Sequence, residues 1–398
     1  MSGSSLINRE ITVIGAGVGG LAIALACARQ GAMVTILEQA HTFDNIGAGL
    51  QISPNGWRVL SALGLATDIS QRGQRAAKIR LRDFRNGANV FEFPLKHPNS
   101  PYHFMHRADL VDVFVAVLRS LNVHFRLNTR VSAIKPDGPR THLMFSDGTK
   151  EIHGLTFAAD GVNSVARETL NPNVDPFFTG QIAWRCTVKS QIPPRPEVQV
   201  FMGPGRHLVL YPLCNGELMN IVAVEERDKW VSEGWHHKDD PNALRRAFSD
   251  FCPEIRDILD KVESVFLWGL FQRPVAATWW ADHVALLGDA AHPTLPFLAQ
   301  GANMALEDAY VLTQCLAQQD YHDDVTAAFA HYTVLRRART AQIVKTATYN
   351  AKNYHLTPGV YRFMAHTALR VASRTLPRLV TRRFDWIYDY DATQVINK

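Results

Sequence analysis

The stretch that most constrains the fold is Glu10 to Leu37. A short apolar run, Ile11 to Ile14, is followed by Gly15-Ala16-Gly17-Val18-Gly19-Gly20, an alanine-rich segment to Arg29, Gly31 as a stop, and a second apolar run, Val34 to Leu37. The order is strand, glycine turn, helix, strand. Gly15 permits the tight turn, Gly17 lets a pyrophosphate approach the backbone, and Gly20 lets helix and strand pack closely. The helix N-terminus then presents free N–H groups and positive dipole potential to the phosphates. Glu38 stands 38 − 20 = 18 residues after the last glycine, where a carboxylate can accept both ribose hydroxyls. The pattern predicts a dinucleotide-binding unit for FAD or NAD rather than NADP, and it does not separate those two.

Two further strand tips carry an acid. Val284 to Leu287 ends at Gly288-Asp289, and a Pro- and Gly-rich loop leads into a segment where Ala302, Ala305, Leu306, Ala309, Leu312 and Leu316 follow helical spacing. Asp289 is expected to hold a cofactor's polyol chain, and the backbone amides of Gly301, Ala302 and Asn303 to face its ring. Glu307 and Asp308 are expected to cap or solvate the helix. Earlier, Val123 to Asp160 reads as β-rich, and its last strand, Leu155 to Ala159, ends at Asp160-Gly161. The loop Gly47 to Asn55 suits backbone approach to a flat ring and suits a surface turn equally. Arg107 opens a helix-like stretch to Leu121, where a lone Arg reads as a surface residue or as a cation facing the cofactor.

The 398 residues suffice for two or three domains and a large core, and 46% hydrophobic with 20% charged residues are globular values. Met1 to Arg9 is short and polar, and Leu21 to Ala28 falls well short of the roughly 20 apolar residues a membrane span needs. A soluble, cytoplasmic protein is expected. Five scattered cysteines without a Cys-x-x-Cys pair read as buried thiols, with no metal site. From Gly359 to Lys398 seven basic residues stand against three acids, so 7 − 3 = +4 of the net +5 lies there. Without interleaved aromatic stacking, that segment reads as a solvated helix face or a homodimer contact rather than a nucleic-acid or membrane surface.

Beyond Asn171, Pro193, Pro194 and Pro196 mark a connection. Val198 to Met202, His207 to Pro212 and Leu218 to Glu225 then look like successive strands, the last two joined by Asn215-Gly216. Alternation places His207, Val209 and Tyr211 on one sheet face. The pair could handle a phenolic proton in a pocket; spacing alone favours a core strand. Pro241 to Val262 is expected to be helical, Val265 to Phe271 a strand, and Val325 onward mainly helical.

The three tip motifs in this order, together with His106-Arg107-Ala108-Asp109-Leu110, Pro296-x-x-x-Gln300-Gly301-Ala302 and Trp386-Ile387-Tyr388-Asp389-Tyr390-Asp391, resemble the single-component FAD-dependent aromatic hydroxylases. Within that group the chain is most similar to salicylate and hydroxybenzoate hydroxylases and 6-hydroxynicotinate 3-monooxygenases. The resemblance implies an α/β fold. A Rossmann-like FAD-binding domain would comprise 1–75, 105–175 and 275–345, an inserted β-sheet substrate domain 76–104 and 176–274, and a helical C-terminal region 346–398. It implies FAD with Glu38 and Gln39 at the adenosine ribose, Val131 by the adenine, Gln51, Arg107 and Asp160 near the cofactor, Asp289 on the ribityl chain, and Pro296 beside the ring. Catalytic roles would fall to His207, Tyr211 and Pro296, the first two drawing off a phenolic proton. His292 reads as structural, and Phe297 stands where related enzymes can carry a polar residue. NADH or NADPH would dock transiently, since no second Gly-rich strand-turn-helix exists, and the reduced flavin would react with O2 as a C4a-hydroperoxide. The implied function is hydroxylation of a small phenolic acid. The alternatives are oxidation of a larger natural product by the same motifs, or a nicotinamide dehydrogenase.

Overall fold

The computed structural model describes residues 6–43, 49–95, 99–172, 174–190, 195–227, 237–318, 324–375 and 380–396. Met1, Gly47, Pro193, Pro194 and Lys398, named above, lie outside the described residues.

Six strands form the nucleotide-type sheet, in the order Trp280–Ala281, Val284–Leu286, Leu155–Ala158, Glu10–Ile14, Met33–Leu37 and His124–Arg126. All neighbours are parallel except the first pair. The inner strands are buried almost throughout, which is why they read as continuous apolar runs. Register decides what they present. Ile14 is level with both Leu37 and Ala158, and Ala158 with Leu286. Gly15, Glu38, Asp160 and Asp289 therefore emerge side by side at one sheet edge, the carboxyl edge where open α/β sheets bind ligands.

Two helices close over that edge. The fingerprint helix Val18–Arg29 packs against Gly301–Ala317, and a Cβ added at Gly19 would lie 3.2 Å from the Ala305 Cβ. Small residues on both helices permit this approach. Gly288, at φ +60°, also faces Ala305, so the Asp289 tip, the fingerprint helix and the later helix meet at one alanine.

A second body is an eight-stranded sheet, antiparallel except where Glu197–Gly203 runs parallel to Lys78–Asp83. In the Arg206–Leu213 strand, Leu208 and Leu210 enter a core with Trp184 and Phe201, whereas His207 and Tyr211 point to the opposite face. The stretch expected to be helical, Pro241 to Val262, holds two helices, Pro241–Ala247 and Pro253–Leu259, because Pro253 lacks an N–H and starts a new first turn.

The C-terminal region consists chiefly of Val325–Tyr354 and Val360–Thr375. Its basic residues divide, with Arg374, Arg382 and Arg383 exposed and two others turned inward. Arg362 is buried and bonded to Asp83 (2.9 Å) and to the Met202 carbonyl (3.0 Å), and the Arg370 Nε–H donates to the Asn89 carbonyl. These cations fasten the helix to the eight-stranded sheet. No described helix is long and apolar enough to cross a membrane.

Candidate active site

A cavity of about 630 Å³ lies between the two sheets, roofed by C-terminal residues including Tyr354, Phe384 and Tyr388. Its nucleotide-side wall holds Gly17, Gly161, Arg107, Asp289, Gly301 and Ala302. Its other end holds Arg185, His207, Tyr211 and Trp268, with Pro296 and Phe297 between.

The glycines of the fingerprint divide by environment. A Cβ on Gly15 or Gly20 would meet backbone, at 2.5 Å from the Ala159 oxygen and 1.9 Å from the Gly15 oxygen, whereas on Gly17 it would meet nothing within 4 Å. Open space over Gly17 beside the first helical turn is the room a pyrophosphate requires. The Glu38 carboxylate is held in place by accepting the N–H of Ala16 (2.6 Å) and of Ala40 (2.9 Å). Each oxygen retains a lone pair for a hydroxyl. The Thr129 N–H donates to the Glu38 carbonyl, which brings the segment leading to Val131 alongside. Glu38, Gln39 and Val131 lie outside the cavity lining, Gln39 exposed and Val131 buried.

Arg107 is half-buried, with its Nε–H buried and unpaired. Burial draws its pKa down, against the opposing pull of Asp289 and Glu38, so one guanidinium lies within reach of both acids. Asp289 is accessible where it lines the cavity, yet protein surrounds it closely. Burial raises its pKa, and His292 and Arg107 oppose the rise. Asp160 has a local task. One oxygen accepts N–H bonds from Val165 (2.9 Å) and Ala166 (3.4 Å), capping the Val165–Leu170 helix, and the other is buried without a partner.

Asn303 contributes through its side chain as well as its backbone. Its Oδ1 accepts the Ser53 N–H, and its Nδ2 donates to the carbonyls of Gln51 and Ala299, which pins the Gln51 segment to the helix start. Gln51 faces the cavity and accepts the Tyr102 hydroxyl (2.7 Å). The first intrahelical bond in this turn runs from the Met304 N–H to Gln300, leaving the N–H groups of Gly301, Ala302 and Asn303 without helical acceptors.

At the far end, the Tyr211 hydroxyl donates to the Gly49 carbonyl (2.7 Å), and burial pushes its pKa up to about 12. His207 Nδ1 lies 2.7 Å from His355 Nε2. Burial first, and His355 second, hold His207 well below the usual histidine range. Burial likewise lowers His355, with Glu226 opposing, so the environment disfavours a positive charge on either ring. Arg185 is half-buried over the Trp268 ring at 4.7 Å, with a pKa lowered to about 10 by desolvation, and remains a cation. Sequence reading passed over Arg185, His355 and Tyr354, since a single Arg in a strand and a Tyr-His pair at a helix end carry no pattern.

Residues 8–347 match the FAD binding domain family. The chain belongs to that family. Among its relatives, 3-amino-4-hydroxybenzoate 2-monooxygenase of Streptomyces cremeus is 36% identical over 89% of this chain and 90% of its own. The 3-hydroxybenzoate 6-hydroxylase of Klebsiella oxytoca is 34% identical over 86% and 88%. A salicylate hydroxylase substrate complex has the same fold, with a TM-score of 0.81 at 24% identity over 98% and 97% of the two chains. This family member is thus an FAD-dependent enzyme of the monooxygenase class, with FAD as its cofactor.

In this flavoprotein the helix behind the Asp289 tip is anchored by a buried ion network, and Glu307 and Asp308 neither cap nor solvate it. Both are fully buried. Asp308 accepts the Gly288 N–H (3.0 Å) and the Arg336 Nε–H (2.7 Å), and it bonds the His292 Nε2. Glu307 takes Arg339 and Asn55, and lies 2.7 Å from the Arg336 Nη1, close enough for an ion pair but too misaligned for a hydrogen bond. His292 is fully buried and bound into this network. Asp289→Ala is expected to weaken FAD retention roughly tenfold to a hundredfold, the scale of losing one or two hydrogen bonds to a charged group. Fluorescence titration of the apoprotein with FAD checks this, and unchanged affinity would remove Asp289 from the cofactor site.

Proposed function

We propose that this flavoprotein hydroxylates a small phenolic acid, using NADH or NADPH and O2. The observation that carries the reading is the continuity of the cavity from the strand tips to His207, Tyr211 and Arg185, which lets one aromatic ring sit against both. The names of the full-length relatives point the same way. Bound FAD supplies acceptance of a hydride from the nicotinamide and activation of O2.

The protein's own groups hold the reactants. Glu38 and Gln39 take the adenosine ribose, the Val131 backbone the adenine, and Gly15, Gly17 and Gly20 the pyrophosphate turn. Arg107, Gln51 and Asp160 stand around the middle of the cofactor, and Asp289 takes the ribityl hydroxyls. The N–H groups of Gly301, Ala302 and Asn303 offer positive potential to a reduced, negatively charged ring. Pro296 borders the oxygen site. Arg185 suits a substrate carboxylate, and the neutral His207 suits a ring hydroxyl whose proton must leave to enrich the ring in electrons. Segments 1–75, 105–175 and 275–345 form the FAD-binding body, 76–104 and 176–274 the substrate sheet, and 346–398 the roof. The protein works in the cytoplasm.

A panel of hydroxy- and aminohydroxybenzoates, scored by stimulation of NADH and NADPH oxidation, tests the reading. At least one member is expected to accelerate nicotinamide oxidation well above the rate without ligand. Stimulation by none of these acids, with larger polycyclic aromatics assayed beside them stimulating instead, would replace the substrate class.

A further inference from the structure

We propose that His355 and Glu226 complete a proton relay that carries the substrate's ring-hydroxyl proton from His207 to solvent. The relay rests on the phenolic-acid reading above.

Three elements meet to form it. His207 belongs to the Arg206–Leu213 strand, Glu226 ends the neighbouring Leu218–Glu226 strand, and His355 follows the long Val325–Tyr354 helix. His207 Nδ1 lies 2.7 Å from His355 Nε2, and His355 Nδ1 lies 2.6 Å from Glu226 Oε1. The chain runs outward: His207 is 1% exposed and lines the cavity, the His355 side chain is 2% exposed, and that of Glu226 is 51% exposed. The nearby cations are turned elsewhere, Arg206 to Asp250 and Arg227 to Glu225.

The carboxylate fixes the tautomers. Glu226 can only accept, so His355 donates from Nδ1 and, when neutral, accepts at Nε2. His207 must then donate from Nδ1. Its Nε2 lone pair is left for the cavity. Burial opposes a positive charge on either ring, so neither imidazole stores a proton well. A buried base of this kind works by handing the proton on.

The steps balance. The ring O–H bond breaks and its proton binds His207 Nε2, while the electron pair stays on the ring oxygen. The His207 Nδ1 proton moves to His355 Nε2, and the His355 Nδ1 proton moves to the Glu226 carboxylate and then to water. When the product's ring oxygen regains a proton, the same transfers run inward and restore both tautomers.

The test mixes the FAD-loaded protein with 3-amino-4-hydroxybenzoate or 3-hydroxybenzoate in weak buffer containing a pH indicator, under stopped flow. The native protein is expected to release a proton as the ligand binds. His355→Ala is expected to slow that release roughly a hundredfold with ligand affinity nearly unchanged, and added imidazole should restore it. Glu226→Gln, at an exposed position where folding is not at stake, should slow it as well, because the amide cannot take the proton. Release at the native rate in both variants would overturn the relay. Absence of binding, or binding without proton release, in the native protein would overturn the phenolic-acid reading, and the relay with it.

Discussion

Gly20→Ala is expected to lower both folding stability and FAD affinity, whereas Gly17→Ala is expected to lower FAD affinity alone. The added methyl at position 20 would sit 1.9 Å from the Gly15 carbonyl oxygen and 3.0 Å from its carbon. Those atoms are backbone at a strand tip where Gly15 already holds φ +97°, so no rotamer change relieves the contact. Overpacking costs about 1–3 kcal/mol where side chains can yield. Here the upper end applies, which lowers the melting temperature and, as the phosphate turn shifts, reduces FAD affinity by about a hundredfold. The methyl at position 17 meets no protein atom within 4 Å and projects into open space at the helix start. Apoprotein stability should change by no more than about 0.5 kcal/mol, while the same methyl occupies the space proposed for the pyrophosphate. Calorimetry of the two apoproteins, paired with FAD titration, separates the effects. Equal destabilisation by both substitutions would contradict the assigned division of labour.

The second large effect is expected at Arg336, remote from the cavity lining. Arg336→Met removes the cation that faces Asp308 and Glu307, all three groups being fully buried. Breaking a buried pair by deleting one partner costs about 3–5 kcal/mol, because a charge remains without compensation. Glu307 keeps Arg339 and Asn55; Asp308 keeps His292 and the Gly288 N–H. Denaturant unfolding should show the loss. Its pH dependence has a definite sign. Burial opposes ionisation of Asp308, but His292 and Arg336 outweigh it and hold the carboxyl at about 2, below the usual aspartate range. Stability from this depressed value is complete above the unfolded pKa and is lost as pH falls through about 2. The variant should therefore begin acid unfolding at a higher pH than the parent. An unchanged acid transition would show that Asp308 does not depend on Arg336.

The strand tips were legible because each apolar run stops abruptly at Gly or Asp, and parallel register then brings those stops level. The helix Gly301–Ala317 was legible to its ends from apolar spacing. Glu307 and Asp308 were not, since adjacent acids in a helix look like a solvated face until Arg336 and Arg339 arrive from a helix that begins at Val325. Spacing put His207 and Tyr211 on one face, yet the partner that sets the His207 tautomer is 148 residues away. Tertiary packing alone joins them. In the basic C-terminal segment Arg374, Arg382 and Arg383 are exposed, and charge composition does not reveal that Arg362 is buried against Asp83.

The claim of ring hydroxylation is tested most directly by the origin of the oxygen in the product. The FAD-loaded protein would be supplied with NADH or NADPH, the most stimulatory phenolic acid of the panel, and oxygen-18 gas, and the product analysed by mass spectrometry. Hydroxylation predicts a single oxygen-18 atom on the aromatic ring, with nicotinamide consumed in step with product. Nicotinamide oxidation that leaves every aromatic acid unchanged, or a product whose new oxygen comes from water, would contradict it.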